Sequence, residues 1–347
     1  MRSSPIVAAL CAAALATGSQ ALETAPRYTI VKEIPLGGPD KWDFLYFDGS
    51  ARRVYVSHGT QVDVVDVKSD KVIGTIPGFD TSHGIVTVPA LGRGYADSGN
   101  TKTVIVFDLK TLKPIATLAA GEDADAMTYD GTTKRVFVMD ADGAAFTVID
   151  AVNNKTLSTI ALGGKPETAV DNGTGSIFIN IASTNEVVRV NAATLAIEAR
   201  WPVPACISPH GLDIDTATHR LFLSCKNDVM LIISSDDGRT VATLPIGHGT
   251  DADAFDPRRN LAFSSNGDGT LSIISELDPD KFEKLEEMPT RKGARTMTLD
   301  PETGRIYLMT GDIATLADPT AQPPARARFV PGSLNLIVLE PTGPNGH

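Results

Sequence analysis

A paragraph of short apolar strands recurs along this chain, and few folds accept such a repeat. One copy reads Arg53-Val54-Tyr55-Val56-Ser57, then Val62-Asp63-Val64-Val65-Asp66, then Lys71-Val72-Ile73-Gly74-Thr75-Ile76. The next has Gly94-Tyr95-Ala96, Val104-Ile105-Val106-Phe107-Asp108 and Pro114-Ile115-Ala116-Thr117-Leu118. A third has Arg135-Val136-Phe137-Val138, Phe146-Thr147-Val148-Ile149-Asp150 and Leu157-Ser158-Thr159-Ile160. The marker aspartates Asp66, Asp108 and Asp150 fall 42 residues apart, a period that reads as propeller blades.

Four looser copies follow, around Ile177–Ile179, Arg220–Leu223, Asn260–Phe263 and Arg305–Leu308. Each run is short and β-branched, which is strand chemistry. The turns at Gly131-Thr132, Asp142-Gly143, Asp237-Gly238 and Asp268-Gly269 suit hairpins, and no helical spacing of apolar residues interrupts them. The expected fold is all-β: one closed seven-bladed β-propeller with strands a to d in each blade, over residues 22–341. The seventh copy stops after strand c at Leu339-Glu340-Pro341, while an orphan outer strand, Tyr28-Thr29-Ile30-Val31-Lys32-Glu33-Ile34, precedes the first. Pairing residues 28–36 with the strand around Leu334–Leu339 completes the last blade and removes the frayed edge at the seam.

Before the repeat stand Met1-Arg2, an apolar run from Ile6 to Ala16, and small residues ending at Ala21. These read as a secretory leader over 1–21, with cleavage after Ala21 and a periplasmic or secreted destination. The apolar run is too short to span a bilayer. Cleavage removes Arg2 and no acid, taking the net charge from −11 to −12. Such a domain repels phosphate backbones, and no basic cluster with interleaved aromatics offsets this, so nucleic acid is excluded as a partner class. Cys206 and Cys225 remain, one before strand a and one ending strand b of the fifth blade. In an exported protein they suit a disulfide, with two buried thiols as the alternative. Residues 342–347 read as a disordered tail, and the domain as a monomer.

Function is less legible. In a propeller the d–a connections and b–c turns ring one mouth of the central channel. The polar residues at the start of each strand a are Trp42 and Asp43, His83, Asp123 and Asp125, Lys165 and Glu167, His210, Asp251 and Asp253, and Arg295. Every blade thus supplies a titratable group at one structural position. From these the expected ligand-binding residues are Trp42, Asp43, His83, Asp125, Glu167, His210, Asp253 and Arg295. His58, His83, His210 and His248 map to the same face and are candidate ligands for a divalent metal, with His58 and His83 well placed to bridge neighbouring blades. No tight His-x-x-x-His spacing reinforces that reading. Arg295 is expected to pair with Asp253 or Asp43, or to grip an anion. The Asp-x-Asp pairs at 123/125 and 251/253 do not continue into a calcium loop. A Pro-, Ala- and Arg-rich insertion from about Thr310 to Gly332 replaces a b–c turn of the seventh blade, on the mouth face. There is no Gly-x-Ser-x-Gly elbow, Walker loop, dinucleotide fingerprint or haem-attachment motif.

The segments Arg53-Val54-Tyr55-Val56-Ser57, Asp256-Pro257-Arg258-Arg259-Asn260-Leu261-Ala262-Phe263 and Asp300-Pro301-Glu302-Thr303-Gly304-Arg305-Ile306-Tyr307-Leu308 resemble the Asp-Pro-x-x-x-Arg-x-Tyr-Val hairpin of the YVTN-type β-propeller family. The resemblance covers nearly all of residues 28–340, although no blade carries the literal Tyr-Val-Thr-Asn string. It implies an exported bacterial or archaeal propeller and carries over no catalytic residue. Related propellers include lactonase-type enzymes as well as binding proteins. Two functions stay open: a mouth that binds a small ligand, metal ion or protein partner, and a lactonase, hydrolase or lyase with a metal- or His-assisted site there.

Overall fold

The computed structural model describes residues 26–285, 287–316 and 327–343; the segment over 1–21 read as a leader, most of the Pro/Ala/Arg-rich insertion and the last four residues lie outside them. Strands dominate, and they gather into seven antiparallel blades. In blade 3, strands Ala124–Asp130, Arg135–Asp140, Ala145–Asp150 and Lys155–Ala161 pair in chain order from channel to rim. Blades 2, 4 and 5 repeat that order. In blade 1, strands b and c run together as Arg53–Asp66. Blade 6 splits its outer edge between Lys281–Lys284 and Met288–Pro289. The seventh sheet joins both chain ends: Arg27–Pro35 lies antiparallel to Asn335–Thr342, with Ile34 opposite Leu336 and Arg27 opposite Thr342.

Strand b explains why these runs are apolar throughout yet still read with a period of two. Alternate side chains leave opposite faces of the sheet and enter different blade–blade interfaces. Phe137 and Met139 pack toward blade 4, with Ile177, Ile179 and Val188. Val136 and Val138 pack toward blade 2, with Val86, Tyr95 and Val106. Val54 and Val56 meet Tyr307 and Leu336 of blade 7, whereas Tyr55 faces Ile85 and Phe107 of blade 2. The core is therefore a ring of blade interfaces around an open axis. Outer strands wet one face, and there the pattern turns alternating: Lys155–Ala161 runs exposed, half-buried, exposed.

The marker aspartates cap the c–d turns. Asp66 Oδ1 accepts the Ser69 backbone N–H (2.8 Å), Asp108 Oδ1 that of Thr111 (2.7 Å) and Asp150 Oδ1 that of Val152 (2.8 Å). The arginine that opens strand b then reaches the c–d turn of the following blade. Arg53 donates to the Leu109 carbonyl (2.7 Å), Arg93 to Val152 (3.0 Å), Arg135 to Ala192 (2.7 Å) and Arg220 to Pro279 (2.6 Å). Arg305 of blade 7 donates to Val67 of blade 1 (3.2 Å), across the seam.

Cys206 and Cys225 form a disulfide, with Cα atoms 5.2 Å apart and a separation of 19 positions in sequence. It ties the loop entering strand a of blade 5 to the end of strand b, where Pro209 pairs with Cys225.

Two stability predictions follow from these bonds. Arg135→Met, which removes the donors to Ala192 and Ala193, should cost about 1.5–3 kcal/mol in urea unfolding; no measurable change would mean that the arginine adds nothing to blade cohesion. Cys206→Ala/Cys225→Ala should lose about 3 kcal/mol, the loop-closure value for a ring of this length, with the largest increase in amide exchange in blade 5.

Candidate functional site

One face of the ring carries a titratable side chain from every blade at the start of strand a: Asp43, His83, Asp125, Glu167, His210, Asp251 and Arg295. The strands hold these groups in place because hydroxyls of the preceding blade fasten their carbonyls. Ser57 Oγ donates to His83 O, Thr168 Oγ1 to His210 O, and Ser265 Oγ to Arg295 O at 2.6 Å. Neighbouring side chains then fall into two groups.

The first spans blades 1 to 3. His83 Nδ1 lies 2.7 Å from Asp43 Oδ2 and 3.7 Å from Asp125 Oδ1. The three donor atoms lie within 4.8 Å of one another, an arrangement able to hold a metal ion. Behind His83, the buried Asp97 accepts the backbone N–H groups of His83 (3.0 Å) and Gly84. Burial alone would lower the His83 pKa. The bond to Asp43 and the charges of Asp97, Asp125 and Asp43 outweigh it and push the pKa up to about 10. Asp125 is pushed up, by burial first and then by the Asp43 charge.

The second spans blades 4 to 7. His210 Nδ1 donates to the Ser208 carbonyl (2.9 Å), which fixes the tautomer and turns the Nε2 lone pair toward Glu167 Oε1 at 3.1 Å. Burial, then the Asp251 charge, pushes Glu167 up to about 7. Burial, then Lys226, lowers His210 to about 4. Both shifts favour the uncharged forms, a carboxyl group facing a neutral imidazole. Asp251 lies 4.0 Å from His210 Nε2 and makes ion pairs with Lys226 Nζ (2.8 Å) and Arg295 Nε (2.6 Å). These cations overcome the burial penalty and hold Asp251 below the usual carboxylate range.

Several sequence expectations are corrected by this geometry. His58 is fully buried, with Nδ1 on Asp63 Oδ2 (2.6 Å) and Nε2 on the Pro39 carbonyl (2.9 Å), so both nitrogens are committed within blade 1 and cannot bridge a metal to His83. His248 is exposed beside Asp228 (3.0 Å), away from the cluster. His83 and His210 do not share a centre; each faces its own pair of acids. Arg295 pairs with Asp251 rather than Asp253 or Asp43. Asp253 lies deeper, on the wall of a 570 Å³ channel lined by strand a of every blade, where its Oδ2 accepts the Ser224 N–H (2.7 Å). Of the two aspartates in Asp251-Ala252-Asp253, the sequence offered no means of choosing, because both leave the same face of a strand.

Trp42 meets the insertion. The described part of that segment forms a hairpin of Ile313–Thr315 with Arg328–Phe329, and Phe329 packs edge-on against Trp42 at 4.4 Å between centroids. Together with Lys41, Asp43, His83, Arg295 and Arg328, these rings wall a cavity of 360 Å³ at the mouth. Arg328, Phe329 and Lys226 were missed from sequence. Only the insertion's position on the mouth face pointed to the first two, and Lys226 directly follows the cysteine that fixes its turn.

The fold and site define a seven-bladed β-propeller with a charged mouth. No family model matches the chain, and no curated protein matches it; the YVTN-type pattern stays a resemblance of the repeat. Among solved structures, 1785 chains match. One is a chain of the Kuenenia stuttgartiensis hydrazine synthase, 14% identical, covering 79% of this chain and 92% of its own with a TM-score of 0.69. At that identity the likeness carries the fold alone.

The Glu167 proton gives a pH prediction. A carboxyl whose pKa is raised on folding stabilises the fold below its unfolded value of about 4.5, and that contribution is lost as pH rises through about 7. Glu167→Gln, which keeps a neutral donor, should match the parent near pH 4.5 and become the more stable protein above pH 7. Parallel pH profiles of the two would refute a buried proton at Glu167.

Proposed function

We propose that this protein is an exported binding propeller whose mouth takes up a small anionic molecule, with carboxylates the best-fitting class. The observation that carries this reading is the mouth cavity. It sets two aromatic rings, Trp42 and Phe329, beside two guanidinium groups, Arg295 and Arg328. An aromatic wall supplies apolar contact area, and arginine forks match carboxylate oxygens. Among the described residues, Arg295 is committed in part to an acid, Asp251, and Arg328 makes no ion pair. Export is supported by the leader sequence over 1–21 and by the disulfide, which belongs to an oxidising compartment. Among the described residues no helix is long and apolar enough to cross a membrane. A protein partner at the same mouth fits the exposed hairpin but has no specific contact in its favour.

A second reading, hydrolase or lyase activity, is favoured by the Glu167–His210 pair. It places a carboxyl whose pKa is raised to about 7 beside an imidazole kept neutral, an acid and a base of the kind proton transfer needs.

The test is tryptophan fluorescence of the full mature chain titrated with acetate, succinate, citrate and inorganic phosphate. At least one carboxylate should change Trp42 emission saturably, Trp42→Phe should remove the signal, and Arg328→Ala should weaken binding about tenfold or more. Failure of every carboxylate, or binding indifferent to Arg328, would overturn the carboxylate reading. Consumption of the bound molecule during the titration would move the protein to the enzyme reading.

A further inference from the structure

We propose that Asp43, His83 and Asp125 form a binding site for one first-row divalent metal ion, a ligand set distinct from the histidine quartet that the sequence suggested. The inference stands on the three side chains and their supports, and does not depend on the carboxylate reading of the cavity.

The donor set comes first. Imidazole nitrogen with two carboxylate oxygens suits zinc, manganese or iron(II) better than the all-oxygen shells of calcium. Ligands about 2.1 Å from an ion stand about 3.0–3.4 Å from one another. The separations of 2.7 and 3.7 Å around His83 Nδ1 bracket that range, and all three donor atoms lie within 4.8 Å of one another.

The supports come second. The three ligands arise from three successive blades, yet their backbones are tied to one another. The Asp43 N–H donates to Ser57 O (3.2 Å), the Ser57 hydroxyl donates to His83 O, and the Gly84 N–H donates to Asp125 O (3.1 Å). Gly84 permits this approach, since a Cβ there would stand 2.3 Å from the Asp125 carbonyl. The His83 ring is wedged on its far side against Gly99, whose added Cβ would lie 3.2 Å from Cδ2 and Nε2, leaving Nδ1 directed at the acids. Fixing ligands through rigid elements and outer contacts is what metal sites require.

The third observation is independent of both. Asp125 Oδ1, the oxygen aimed at His83, is buried and has no hydrogen-bond partner. A buried carboxylate oxygen without a donor is costly; the His83 ring stands 3.7 Å off, too far to donate to it, so only a group in direct contact completes it. A metal ion at this point does so, and the site borders the mouth cavity through Asp43 and His83, which keeps coordination positions open to solvent or ligand.

The experiment uses the full mature chain without an affinity tag, stripped with chelator and titrated calorimetrically with Zn²⁺ alone and Mn²⁺ alone. One equivalent of at least one ion should bind. His83→Ala and Asp125→Asn should each weaken it by more than the roughly 10–100-fold that loss of an outer-shell partner costs. His219→Ala, which removes an exposed His–Asp pair on the opposite face, should leave affinity and stoichiometry unchanged. Should His83→Ala unfold the mouth, Asp43→Asn and Asp125→Asn, checked by circular dichroism, carry the comparison. Absence of stoichiometric binding by either ion would overturn the proposal. So would binding that survives both carboxamide variants or falls with His219.

Discussion

Each blade of this ring buries its faces only against its neighbours, so the fold depends on how one blade is fastened to the next. The arginine at the head of strand b does part of that fastening. It leaves its own blade and ends on the carbonyls of the following c–d turn, where an aspartate has already capped the backbone: Arg93 reaches Ala151 and Val152 beside Asp150. A charged donor on a carbonyl acceptor is stronger than a neutral pair, and the bond recurs from blade 7 to blade 1 through Arg305 and Val67. Where the arginine is missing, another takes over. Blade 4 opens strand b with Ser176, and there Arg189 of strand c reaches the Asp236 carbonyl and lies over the Trp201 ring. The interface demands a clasp but not a particular residue to make it.

That constraint explains what was legible in the sequence. The strand b arginine, the apolar run and the marker aspartate are all dictated by neighbours one period away, so they repeat and announce the fold. The mouth residues are dictated by one another across the axis, and nothing local forces them to repeat. Their position was therefore readable while their partnerships were not. His58 shows the failure clearly. By sequence it sits in a b–c turn on the mouth face, but Asp63 lies five residues on and the Pro39 carbonyl lies across the turn, and these two bury and consume it. His83 maps to the same face, at the start of a strand a, yet its acidic partners come from the blades on either side. No spacing rule separates the two cases, because the difference is made by which side chains converge in three dimensions.

The disulfide links the two levels. It clamps the loop in which Ser208 adopts a positive φ of 50°, a conformation that costs a residue with a side chain about 1 kcal/mol or more. That turn aims the Ser208 carbonyl at His210 Nδ1, and the carbonyl fixes which nitrogen of His210 faces Glu167. A covalent bond outside the mouth thereby sets a tautomer inside it. Asn185 of blade 4 adds a second tether, its side chain accepting the Ser208 N–H at 2.8 Å.

The side-chain ring around the mouth is interrupted at two places among the described residues, and the interruptions differ in kind. Between Asp125 and Glu167 stands Lys165, whose ammonium is taken up by Asp142 (2.9 Å) and Asp123 (3.7 Å), so that gap is closed by charges at the surface. Between Arg295 and Asp43 no ion pair forms, and the space holds the cavity walled by Trp42 and Phe329. The largest departure from the repeat, the blade 7 insertion, delivers its aromatic side chain to this second gap. A symmetric ring offers a ligand seven equivalent approaches and so no preferred one. By leaving one junction unpaired and roofing it with a hairpin from the adjacent blade, this chain turns a repeated position into a single oriented pocket, bounded by a cation on one side and the Asp43–His83 pair on the other.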